Sequence, residues 1–186
     1  MKLVVGLGNP GPEYLWSRHN AGWLIVDSYT GMKCQGEPRM KFGGAFWPAS
    51  LIEGESVAFL KPYTYMNLSG KSASEAARYY DIAPGDVLVV FDDAAMPFGT
   101  LRYRATGSAG GHKGMISIIT AFDTLDVPRL RIGVGGPPAE VAMRDWVLGK
   151  MSKDQRAAWP EIESIARDAL TKWLTGASDG FTLRKI

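Results

Sequence analysis

The sequence predicts an α/β fold, a single layered domain over residues 1–186 whose twisted, mixed and mostly parallel central sheet is flanked by helices. Short β-branched and apolar runs recur along the chain, helical patterns separate them, and no repeat, low-complexity tract or linker breaks the series. With 46% apolar residues in 186, the chain can bury one core. Its 22 glycines and 11 prolines predict plentiful structured loops.

Leu3-Val4-Val5, Val57-Ala58-Phe59-Leu60 and Val87-Leu88-Val89-Val90-Phe91 read as buried strands. Leu101 to Arg104 and Leu130 to Val134 alternate, as half-exposed strands do, and Ala45 to Ile52 adds an edge strand. Helical patterns cover Ala21 to Tyr29, Ser69 to Tyr80, Met115 to Phe122 and Val141 to Leu148. The last helix opens on Ser152-Lys153-Asp154-Gln155, a capping-box pattern, and keeps a 3-4-3 apolar spacing from Ile162 to Leu174 until Gly176. Pro160 should split this stretch or start its longer half.

A net charge of +2 is too small for a protein whose affinity rests on bulk electrostatics, so an acidic partner must be held locally. The one cysteine, Cys34, excludes an internal disulfide and a cysteine-built zinc site, which fits a reducing compartment. The apolar run after Met1-Lys2 is too short for a signal peptide or a membrane span, and a cytoplasmic location is expected.

Gly6-Leu7-Gly8-Asn9-Pro10-Gly11 satisfies the GxGxxG pattern. A dinucleotide site would need a helix opening directly from these glycines and an acidic residue ending the next strand. Pro10 and Pro12 interrupt the first requirement, and Asp27 falls inside a helix. More informative is that Asn9, Asn67 and Asp92 each follow a predicted buried strand, because ligands of open α/β sheets bind beyond the strand carboxyl ends. His19 precedes a helix, where the positive end of the helix dipole favours the neutral ring and so a general base. Asp92 and Asp93 should point to opposite faces, leaving one carboxylate in the cleft and arguing against a two-carboxylate or metal centre. Gly107 to Gly114 forms a glycine-rich loop with backbone N–H groups suited to an anion. Arg102 with Arg104, and Arg129 with Arg131, share strand faces and read as a phosphate track.

VVGLGNPGPEY, RHNAG, KPYTYMNLSG, VVFDD followed by PFG, GSAGGHKG, RLRIGVG and WVLGK, in this order and over nearly the whole chain, resemble the bacterial-type peptidyl-tRNA hydrolase family. The resemblance implies hydrolysis of the ester joining a peptide to the 3′ ribose of tRNA, with neither metal nor organic cofactor. His19 is then the general base, Asp92 the carboxylate that orients it, and Asn9 and Asn67 the groups that position substrate and water. Tyr14 and Met66 resemble cleft-lining residues of the family. The implied partner is the acceptor end and CCA terminus of peptidyl-tRNA, with no membrane, no obligate protein partner and a monomeric state.

Two departures stand out. The family loop usually reads GGHNG, whereas this chain has GGHKG; Lys113 can only donate, so it is a substrate-binding candidate and not a catalyst. A family carboxylate downstream of the catalytic aspartate is replaced in Ala94-Ala95. A competing expectation is a tRNA-binding module with impaired catalysis, which a peptide-release assay distinguishes from a hydrolase.

Overall fold

The structure is a computed structural model that describes residues 1–184. Its strands are β1 (Lys2–Gly6), β2 (Arg39–Lys41), β3 (Gly44–Ile52), β4 (Glu55–Pro62), β5 (Val87–Asp93), β6 (Thr100–Arg104), β7 (Arg129–Gly133) and β8 (Thr182–Arg184). The helices are α1 (Ala21–Lys33), α2 (Ser69–Tyr79), α3 (Lys113–Phe122), α4 (Met143–Leu148) and α5 (Lys153–Leu174). All eight strands join one mixed sheet in the order β2-β3-β4-β1-β5-β7-β6-β8. The central run β4-β1-β5-β7 is parallel. Both flanks are antiparallel, so three parallel pairings stand beside four antiparallel ones.

Alternation along the central strands sends side chains to two cores. Val4, Leu88 and Val90 pack with Ile25 and Val26 of α1 and Ile162, Ala166 and Leu170 of α5. Leu3, Val5, Val87 and Val89 pack on the other face with Ala73 and Ala76 of α2 and Met115 and Ile118 of α3. Burial on both faces explains why these strands read as continuous apolar runs.

Three expectations change. The Ala45–Ile52 strand is internal, because β2 covers it. α4 begins at Met143, two residues later than its pattern suggested. Pro160 neither splits nor starts a helix: α5 runs unbroken through it from Lys153 to Leu174. Pro160 and Arg156, whose carbonyl loses its intrahelical donor, both face solvent, while Trp159 and Ile162 on either side of the proline stay buried. Water can satisfy that carbonyl, and packing holds the rest. The capping box is present, with Gln155 N–H donating to Ser152 Oγ at 3.1 Å and Ser152 N–H to Gln155 Oε1 at 3.0 Å.

The glycines after β1 serve helix packing. A Cβ on Gly22 would lie 2.1 Å from the Val90 carbonyl oxygen, and one on Gly6 would lie 2.5 Å from the Gly22 carbonyl oxygen. The N-terminus of α1 therefore sits directly on β1 and β5. A 3-10 turn at Pro12–Tyr14 follows the glycines, and no helix opens from them, which removes the dinucleotide geometry.

Candidate active site

β1, β4 and β5 deliver Asn9, Asn67 and Asp92 to the same end of the sheet, and the 3-10 turn Arg18–Asn20 brings His19 to them just before α1. These residues line a cavity of about 830 Å³ together with Tyr14, Met66 and Lys113. Eight of the eleven candidate residues thus line one cleft, Arg131 among them.

Asp92 is 2% exposed and lies 2.8 Å from His19 Nδ1 through its Oδ1. The same oxygen is 3.0 Å from Nε2 of His112, the only other histidine of the chain. Burial alone would raise the Asp92 carboxyl. Electrostatic attraction to the N–H edges of the two imidazoles, with the hydrogen bonds they donate, outweighs it and holds the group well below the usual carboxylate range. An ionised carboxylate only accepts, so both rings donate to it. His112 Nδ1 accepts from the Met115 N–H at 3.2 Å, which fixes its proton on Nε2. His19 spends its Nδ1–H on Asp92, and its Nε2 lone pair is left for the cleft.

The asparagines are fixed as well. Asn9 Oδ1 accepts from the Met66 N–H at 2.9 Å, which leaves the Asn9 NH₂ as the end available to a ligand. Asn20 locks the Asn9 backbone from both sides, accepting from its N–H at 2.8 Å and donating to its carbonyl at 3.0 Å. Asn67 is exposed on the lip of the cleft beside Lys113. Their approach depends on Gly114, where a Cβ would meet Met66 Sδ at 2.4 Å.

Asp93 also lines the cavity, so two carboxylates face it and not one, but Arg131 pairs with Asp93 and neutralises it. Asp93 Oδ1 further accepts from the Ala95 N–H at 2.9 Å and so supports the Ala94-Ala95 loop. Arg129 does not belong to a phosphate track. It is 2% exposed, and its guanidinium donates to the carbonyls of Gly107, Ser108, Leu125 and Val127, holding the glycine-rich loop from beneath. Arg102 faces Arg131 across the β6–β7 ladder, and Arg104, which is exposed, faces Arg129, so all four lie on one face of the sheet.

Sequence reasoning missed His112, Asn20 and the cleft wall formed by Met143, Arg144, Val147 and Leu148 on α4. The wall is tied to the His19 turn by Arg18, which stacks on Trp146 at 3.5 Å and donates to the carbonyls of Trp146 and Gly149. The signal for His112 was present, since the second histidine stands in the glycine-rich loop. His19, Asp92 and His112 are a group of metal-ligand chemistry whose donor atoms lie within 4.8 Å of one another. Those atoms are turned on each other as hydrogen-bonded partners, and a metal would have to displace both shared protons.

A model of the peptidyl-tRNA hydrolase family matches residues 3–183. The chain belongs to this family. The peptidyl-tRNA hydrolase of Symbiobacterium thermophilum is 47% identical over 178 residues, covering 94% of this chain and 93% of the relative. That of Desulfitobacterium hafniense is 42% identical and covers 96% of both. A crystal structure of the peptidyl-tRNA hydrolase from Acinetobacter baumannii superposes with a TM-score of 0.82 at 35% identity, covering 94% of this chain and 88% of that one. Membership in the peptidyl-tRNA hydrolase family accords with the mixed α/β sheet and makes the chain an enzyme. No helix among the described residues is long and apolar enough to cross a membrane.

Proposed function

We propose that the chain hydrolyses the ester between the peptide carbonyl and the 3′ ribose oxygen of peptidyl-tRNA, with a water activated by His19. The observation that carries this reading is the His19–Asp92 contact of 2.8 Å, which leaves Nε2 as a free base on the cleft. His19 Nε2 takes a proton as the water oxygen bonds to the ester carbon, and Asp92 stabilises the imidazolium formed. The amide groups of Asn9 and Asn67 donate to the oxygen that becomes negative, without burying a charge. The ester C–O bond then breaks, and the proton held by His19 passes to the ribose oxygen, releasing peptide and tRNA.

Tyr14 and Met66 line the substrate end, and Lys113 contributes a donor at the cleft lip. Arg102, Arg104 and Arg131 carry the phosphates of the acceptor end, so recognition depends little on tRNA body sequence. The reading includes a cytoplasmic monomer that needs no obligate protein partner and no cofactor.

Single-turnover release of peptide from purified peptidyl-tRNA tests it. His19→Ala should lower the rate by about 10²–10⁴ with a modest change in binding. Turnover near wild type would reject the general-base role, and wild-type binding without release would make the chain a tRNA-binding module.

A further inference from the structure

Beside the main cavity lies a second groove of about 390 Å³ between α2 and α3. The two meet at Asn67 and Lys113, which line both. A Cβ on Gly70 would lie 2.0 Å from the Ser117 carbonyl oxygen, and the Gly70 N–H donates to Ser117 Oγ at 2.9 Å, so the helices touch there and close the floor. Ile116 and Thr120 add an aliphatic and a hydroxyl surface. Lys71 and Lys113 are both exposed on this groove, and neither ammonium has an ionic or hydrogen-bonding partner among the described residues.

We infer that this groove receives the peptide of the substrate and favours peptides with an acidic side chain among the last few residues before the ester. The inference rests on the proposed hydrolysis of peptidyl-tRNA. With the ester at His19, the RNA runs toward Arg102, Arg104 and Arg131 on the β6–β7 side. The peptide must leave on the other side, past Asn67, which follows β4. A partly apolar floor with two cations suits a side chain that ends in a carboxylate. The pairs formed are solvent-exposed, so the preference is modest and salt-sensitive.

The test compares N-acetyl-tripeptidyl-tRNAs that share the esterified residue and carry Asp or Glu, or else Asn or Gln, at the two preceding positions. Wild type should show kcat/KM about fivefold higher for the acidic substrates at low salt, and the ratio should fall toward one at high salt. Lys71→Gln should lower the ratio about twofold, Lys113 supplying the rest, and leave the rate on the amide substrates unchanged, since Lys71 lies outside the main cavity. Equal kcat/KM for acidic and amide substrates in wild type would overturn the inference. So would a Lys71→Gln variant that slows both series alike and binds deacylated tRNA more weakly, which would assign the lysines to the RNA backbone. Failure of wild type to release any peptide would instead strike the proposed hydrolysis itself.

Discussion

Asp92 Oδ1 accepts from two imidazoles at once, and only one of them, His19, keeps a free nitrogen on the cleft. His112 is therefore a positioning residue: it steadies the carboxylate and caps α3. His112→Ala should lower kcat about tenfold with little change in KM, the value of one hydrogen bond to a charged group. A lower melting temperature with an unchanged kcat would reduce His112 to a helix cap. The arginines divide in the same way. Arg129→Ala removes a buried guanidinium that donates to four carbonyls and should cost about 3 kcal/mol in urea denaturation. Arg102→Glu with Arg104→Glu should leave stability nearly unchanged, weaken tRNA binding and flatten the salt dependence of log K by about two. The opposite pattern would exchange their roles. Sequence alone treated the four arginines alike, because strand parity gives a side chain's face but not whether a loop folds over it.

At the scale of elements, the site depends on how closely helices approach strands. Gly22 lets the first turn of α1 rest on β1 and β5, and His19 stands three residues before it. Gly22→Ala places a Cβ against backbone atoms of Val90 and Leu7 and should cost about 1–3 kcal/mol by overpacking. Any shift of α1 also lengthens the His19–Asp92 contact, so peptide release at a temperature where the variant stays folded should fall well below wild type. Retained activity would show that the helix shifts without moving the histidine. Most elements were legible from periodicity: the buried strands β1, β4 and β5, and helices α1, α2 and α3; β7 was legible as a strand, but its alternation suggested half exposure where β5 and β6 on either side bury it. β2 and β8 were not, since each has only three residues and no face buried enough to leave an alternating pattern. Pro160 misled for a related reason. Local propensity penalises it, but the cost falls on a solvent-facing carbonyl, while Trp159, Ile162 and Ala166 hold α5 to the sheet.

For the whole molecule, Asp92 links the site to folding. Its carboxyl lies well below the ordinary value of about 3.9 that it regains on unfolding. The stability it contributes is fully present above that ordinary value. It is lost as pH falls toward the folded value, because the unfolded chain binds the proton first. Asp92→Asn should therefore be less stable than wild type in urea at pH 7, with the gap narrowing below about pH 4. A gap independent of pH would mean that packing, and not ionisation, accounts for it. The sequence by itself determined the sheet-and-helix alternation, the family blocks, and the placing of Asn9 and Asn67 after buried strands and of Asp92 at the end of one, because periodicity and turn chemistry are local properties. Only the tertiary structure decided that His112 joins His19 on one carboxylate oxygen, that Arg129 is consumed beneath a loop, and that α4 walls the cleft. Parallel strands are joined by long crossovers, so groups that touch at the sheet's end come from segments tens of residues apart. Their contact depends on how closely the helices pack, which no local pattern encodes.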